Sequence, residues 1–229
     1  MYYLYYLGFL IASFSGCGIY APTCTDFPML DGKGDYRLDF DPLLFGASST
    51  LSYGVTDNLF VQAEASFLKG GTPDLRYYGQ VSSGWYNNNN NKIVELFGGV
   101  SYGHGTEWRY GEGRDGNYAT CFLQGNYGWK DLAGSHIDVA LGTQCGYFHT
   151  STTFYGISST VEQPYHSLFF EPTAIFRFGW EKFKFNIKIG YNFHKMGDCN
   201  SIARSNPLVM CNHTRIELSL NYHFKSSNQ

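Results

Sequence analysis

Past its first residues the chain has no apolar run approaching the roughly 18 residues that a membrane-crossing helix requires. That excludes a membrane protein built from several helical spans. Charge is also scarce: Asp, Glu, Lys and Arg make up 15% of the chain, against roughly 25% in an ordinary soluble domain. The net charge is −3 and no basic block forms, so the electrostatic footprint of a nucleic-acid binder is missing. None of the six cysteines stands in a CxxC pair, which removes the commonest zinc-site pattern. Gly103-His104-Gly105 and Gly111-Glu112-Gly113 precede no helical pattern, so no phosphate loop is expected. Neither a metal nor a cofactor is expected.

What is present is aromatic and glycine-rich. Tyr and Phe number 19 each, Gly 27, and aromatics reach 18%, while mean hydropathy stays at −0.26. Abundant aromatics without long apolar runs fit strands that offer lipid only every second side chain.

The periodicity points the same way. Phe183, Phe185, Ile187, Ile189, Tyr191 and Phe193 alternate with Lys184, Asn186, Lys188, Gly190, Asn192 and His194. Ile216, Leu218, Leu220, Tyr222 and Phe224 alternate with Arg215, Glu217, Ser219, Asn221 and His223. A period of two places the two sets on opposite faces of a strand. The same alternation recurs along the chain and predicts ten strands near 34–42, 46–55, 58–69, 75–86, 92–105, 117–129, 136–150, 165–179, 182–195 and 212–224. Eight strands are the alternative. The turns at 56–58, 87–91, 130–135 and 180–181 are short, whereas 110–117, 154–163 and the stretch from Cys199 to Cys211 read as longer loops. Short turns at one end and long loops at the other suit a closed, antiparallel, up-and-down transmembrane β-barrel. Glu171-Pro172 falls inside a strand and predicts a bulge or irregularity there.

Trp85, Trp129 and Trp180 lie beside the short turns, with Tyr53, Tyr222 and Phe224, and form a candidate aromatic girdle at a membrane interface. The polar faces carry Arg37, Arg177, Lys184, Lys188 and Arg215 against Asp39, Asp41, Glu64, Glu95, Asp138, Glu171 and Glu217. If these faces are enclosed, the charges must pair. A mixed-sign network across the lumen is therefore expected, leaving a narrow or closed pore. A final strand ending at Tyr222-His223-Phe224 resembles the C-terminal aromatic signal of outer-membrane barrels.

The first 25 residues carry no charge. Residues 1–16 read as a signal peptide, and Phe14-Ser15-Gly16-Cys17 resembles a lipobox that would place a lipid on Cys17. Residues 17–33 then form a linker, 34–224 the barrel and 225–229 a tail. Export permits disulfides, for which Cys199–Cys211 and Cys121–Cys145 are the candidate pairs. The expected location is the bacterial outer membrane, integral and also lipid-anchored, with outer-membrane lipid and a larger envelope complex as partners.

The chain carries Tyr20-Ala21-Pro22, Phe27-Pro28-Met29-Leu30, Lys33-Gly34-Asp35, the Ser52 to Asn58 turn, Glu95 to Gly103, and Phe170-Glu171-Pro172 before Phe176-Arg177-Phe178-Gly179. In these segments it resembles a family of small outer-membrane β-barrel proteins and lipoproteins of Bacteroidetes-type bacteria. Position 35 is Asp where that family carries Glu, and Cys199 and Cys211 look like a local addition. Members are largely of unknown function, so the resemblance implies location and fold rather than an activity.

Catalysis would have to come from the loop end, where His104, Glu107, His149, Glu162 and His166 are placed by the pattern. An acid and a histidine can activate water, as in omptin-like proteases, and His149 with Ser151 matches a lipid-A deacylase-like His-x-Ser spacing. No spacing makes these side chains converge, and no catalytic residue is assigned. The expected role is a structural or accessory barrel of an envelope complex; the alternatives are a narrow channel or small-ligand barrel, and third a barrel hydrolase.

Overall fold

A computed structural model describes residues 26–43, 46–69, 75–109, 112–156, 160–195 and 213–224. The chain forms ten antiparallel strands: β1 (Tyr36–Leu43), β2 (Gly46–Gly54), β3 (Leu59–Lys69), β4 (Leu75–Asn89), β5 (Lys92–Arg109), β6 (Glu112–Trp129), β7 (Ile137–Tyr155), β8 (Thr160–Gly179), β9 (Phe183–Lys195) and β10 (His213–Phe224). Each pairs with its sequence neighbours, and β1 closes the barrel on β10 through Tyr36↔Phe224 to Phe40↔Leu220. Closure gives every strand a hydrogen-bonded neighbour on both sides. The eight-strand alternative is excluded.

The polarity is inverted relative to a water-soluble barrel. Leu96, Leu123 and Leu168 on the outer wall are 59%, 63% and 58% exposed, whereas Glu95 and Arg177 inside are 1% and 0%. Holding so many large apolar side chains against water would cost about 1.5–3 kcal/mol apiece. Against acyl chains the same surface is stable, and the polar groups must then satisfy one another within.

Turn chemistry explains the short-turn end. Asn89 pairs with Lys92, and Asn90 and Asn91 between them have φ of 52° and 64°. Two left-handed residues make a type I′ hairpin, which asparagine tolerates. The expected five-residue turn at 87–91 is thus two residues, with β4 running on to Asn89. Residues 130–136 contain a single 3-10 turn, Leu132–Gly134.

At the other end the expected loops at 110–117 and 154–163 are largely strand. β5 to β8 run 18, 18, 19 and 20 residues, well beyond the roughly 9–11 that cross a bilayer. Sequence missed these extensions because a strand beyond the apolar zone needs no apolar face. Arg114, Asp115 and Asn117 therefore show no hydrophobic period.

The irregularity expected at Glu171-Pro172 takes the form of a break in pairing rather than a bulge. Phe170 pairs with Phe193 and Thr173 with Gly190, so pairing with β9 lapses over two residues and resumes in the same register. Proline has no N–H to give the ladder. Asn192 Nδ2 instead donates to Glu171 Oε2 at 2.9 Å across the gap.

Candidate functional site in the barrel interior

Residues 26–30, expected to belong to a linker, lie inside the barrel. Phe27, Met29 and Leu30 are each 0% exposed. An irregular segment in an enclosed space must find partners for its backbone polar groups, and the wall supplies them. The Asp26 carbonyl accepts from Gln124 Nε2 (2.6 Å) and Asn126 Nδ2 (3.3 Å). The Phe27 carbonyl accepts from Arg177 Nη2 (2.5 Å), and the Leu30 carbonyl from Lys130 Nζ (3.0 Å). The Met29 N–H donates to Glu95 Oε1 at 2.5 Å. Five wall residues from β5, β6, the turn after β6, and β8 thus hold one strap.

The wall is also shaped for it. A Cβ added at Gly142 would stand 2.3 Å from Asn126 Oδ1 and 2.8 Å from the Phe27 ring, and one at Gly54 would stand 2.2 Å from the Gly32 carbonyl. Met29 has φ of 46°, a conformation costing a non-glycine residue on the order of 1 kcal/mol or more. The surrounding contacts maintain it. The strap rejoins the sheet through Gly34 N–H to Gly54 O and Gly54 N–H to Asp35 O, both 2.8 Å.

Charges of both signs surround the strap. Lys188 Nζ lies 3.3 Å from Asp26 and 3.7 Å from Asp41. Lys184 Nζ sits 2.6 Å from Asp138, and Arg177 3.8 Å from Asp39. Asp39 also accepts from Asn186 (2.5 Å) and Asn221 (2.9 Å). Asn126 donates to Glu95 at 2.7 Å, and Ser48 to Glu64 at 3.3 Å. Arg37 is buried, its guanidinium repelled by that of Arg177 and attracted by the carboxylates of Asp138, Asp39 and Asp31. Glu217 is half-buried on β10. The Arg215 side chain lies outside the described residues.

At the short-turn end Lys130 Nζ is 2.5 Å from Asp31 Oδ1, which also accepts from Asn88 Nδ2 at 3.0 Å. Burial works against the Asp31 carboxylate, but Lys130, together with His223 and Arg37, holds the carboxyl down at about 2. Burial pulls the Lys130 ammonium down to about 8, against the opposing attraction of Asp31. Nearby, Asp35 Oδ2 lies 2.9 Å from His223 Nε2. Asp31, Asp35 and His223 cluster closely enough to share an ion. Lys130 already supplies the positive charge there.

The half of the lumen formed by β3 to β7 is filled by aromatic rings that the alternation had not assigned. Phe60 meets Phe97 at 5.1 Å and Phe97 meets Phe122 at 6.5 Å, both edge-on. Tyr118 lies 6.2 Å from both Tyr78 and Phe148. In the sequence, Phe97 interrupts the alternation of Val94, Leu96, Val100 and Tyr102 with Glu95, Gly99 and Ser101. An open aqueous channel would leave its lining accessible to water. Here Glu171, Asn192, Arg177, Phe148 and Ile175 are all at 0%.

On the outer wall, Tyr53, Trp85, Trp180, Tyr222 and Phe224 are exposed beside the short turns, and Trp129 is half-exposed with Tyr127 edge-on at 4.7 Å. Tyr36 stacks on Phe224 at 4.4 Å across the β1–β10 closure.

Cys121 and Cys145 are not bonded: both are free and exposed. Cys121 pairs with Tyr147, and Cys145 with Leu123. They are therefore diagonal neighbours, roughly 7–8 Å apart by strand geometry, beyond the reach of an unstrained disulfide. Cys17, Cys199 and Cys211 lie outside the described residues.

The loop-end candidates separate. His104 contacts Asn117 (3.0 Å) and Asp115 (3.5 Å). Ser151 Oγ donates to Glu162 Oε1 at 2.8 Å, while His149 faces His166. The Glu107 side chain lies outside the described residues.

No family model matches the chain, and no curated protein sequence does. Among solved structures, the N-terminal β-barrel domain of Pseudomonas aeruginosa OprF aligns with 7% identity over 84% of this chain and 99% of its own, at a TM-score of 0.38. Ail, the attachment invasion locus protein of Yersinia pestis, aligns with 13% identity over the same shares, at a TM-score of 0.40. Likeness at this level has no bearing on function, which has to be read from the residues above.

Proposed function

We propose that this chain is an integral outer-membrane β-barrel with a lumen occluded by its own N-terminal strap, serving as a structural or accessory subunit of an envelope complex rather than as a conduit. The observation that carries this reading is the strap: Phe27, Met29 and Leu30 fill the interior, and wall side chains satisfy their backbone. A barrel so closed offers function through its outer wall and its two ends. The strap joins β1 at the short-turn end, assigned here to the periplasm, and β5 to β8 project from the opposite face. The aromatic ring of Tyr53, Trp85, Trp129, Trp180, Tyr222 and Phe224 is assigned to the periplasmic interface.

Lipidation of Cys17 belongs to the same reading, since it would add a lipid anchor to the segment that precedes the strap. Mass spectrometry of the mature amino terminus tests it. For the role, the full-length protein is recovered from outer membranes in mild detergent and reconstituted in planar bilayers. The reading expects co-purification with a defined larger assembly and no stable conductance steps. A monodisperse single chain with large, steady steps would replace it with the channel reading.

A further inference from the structure

On the long-strand end of the outer wall, β7 and β8 set His149 directly opposite His166, and both side chains are exposed. Their Nδ1 atoms lie 3.4 Å apart. The ring planes differ by 16° with centroids 5.7 Å apart, so the two nitrogens stand on facing edges of the rings. Tyr147 stacks on His166 with centroids 6.3 Å apart, restricting the orientation of that imidazole. A hydrogen bond between the pair uses one donor and one acceptor, whereas a shared ion would use both lone pairs.

Two nitrogen ligands on a tetrahedral zinc, each about 2.0–2.1 Å from the metal, stand about 3.3 Å from one another. The observed gap fits that bite, with a modest tilt of each ring to bring the lone pairs onto a common point. We propose that His149 and His166 form a two-imidazole site for a divalent transition cation of the zinc, copper(II) and nickel class. Imidazole selects these ions over magnesium and calcium, which take oxygen ligands. His104 is two strands away and engaged by Asn117 and Asp115, so it supplies no third ligand. The remaining coordination positions face outward, to solvent, and binding is reversible.

The test uses the full-length protein in detergent. Zn²⁺ is titrated by calorimetry into the wild type and into His149→Ala, His166→Ala and His136→Ala, the last an exposed histidine on the turn after β6. Heat-modifiable migration verifies each barrel. The proposal expects one equivalent of Zn²⁺ bound by the wild type and by His136→Ala, and at least a tenfold weakening in each of the other two. Equal affinity in all four proteins would overturn it. Without any variant, Zn²⁺ should slow the modification of His149 and His166 by diethyl pyrocarbonate at least severalfold, while equimolar Mg²⁺ leaves it unchanged. Modification at one rate in all three conditions would likewise overturn it.

Discussion

Arg177 Nη2 donates to the carbonyl oxygen of Phe27 at 2.5 Å, joining β8 to a residue 150 positions earlier in the chain. The same guanidinium lies 3.8 Å from Asp39 on β1. One buried cation thus ties together the strap, β1 at the closure and β8, three strands further round the barrel. Removing one partner of a buried charge pair costs about 3–5 kcal/mol. Asp39 retains Asn186 and Asn221, which softens the loss. Arg177→Met is expected to destabilise the barrel by about 2–4 kcal/mol, read from urea unfolding in detergent micelles. A change under about half a kcal/mol would mean the guanidinium tethers nothing.

Gly142 and Phe27 make a second coupled pair. A methyl at position 142 would press into the Phe27 ring at 2.8 Å and Asn126 Oδ1 at 2.3 Å. Overpacking of this kind costs about 1–3 kcal/mol. Gly142→Ala should therefore destabilise the wild type by that amount. In a Phe27→Ala background the cost should shrink, because part of the clash has gone. Equal costs in both backgrounds would show that Phe27 does not occupy this seat in the molecule in solution.

Acid should loosen the strap at its anchored end. The Asp31 carboxyl is held at about 2, against 3.8 for its ordinary value, with Lys130, His223 and Arg37 together overcoming the burial penalty. A depressed carboxyl contributes stability that is complete above about pH 4 and is lost as pH falls toward 2. The Asp31→Asn variant should lose the pH dependence assignable to this group between pH 4 and 2. Limited proteolysis after the pH step, cutting between strap and β1, reads the release. Identical acid profiles for the wild type and Asp31→Asn would refute the assignment.

Much of the architecture was legible because lipid and lumen impose opposite demands on alternate residues. Phe183 to Phe193 and Ile216 to Phe224 show this directly, and even the pairing of β1 with β10 follows from an even strand count. The extensions of β5 to β8 were hidden for the reverse reason, since Asp115 and Asn117 stand where neither face must be apolar. The strap was hidden as well. Phe27-Pro28-Met29-Leu30 is too short to carry a period, and its burial depends on Arg177, Glu95 and Lys130, far away in sequence. Charged positions such as Asp39, Lys188 and Asp138 could be listed from their faces. Which acid meets which base is set by the barrel's register, and no local pattern encodes that.

The lipid-facing wall admits a sharper test than solubility. Leu123 and Gln124 are consecutive on β6, the first 63% exposed and the second 2%, so they sample the two sides of one strand. A cation placed on the lipid face near mid-membrane costs about 2–4 kcal/mol. Leu123→Arg should therefore destabilise the protein by about that amount in lipid vesicles. The hydrophobic contribution of Leu123 is small if its surroundings are water, and Arg would then be neutral at that position. Leu123→Gln, which leaves the position uncharged, should fall between the two. An arginine at 123 that leaves unfolding in vesicles unchanged would place this face outside the acyl chains, and the polarity of all ten strands would need another explanation.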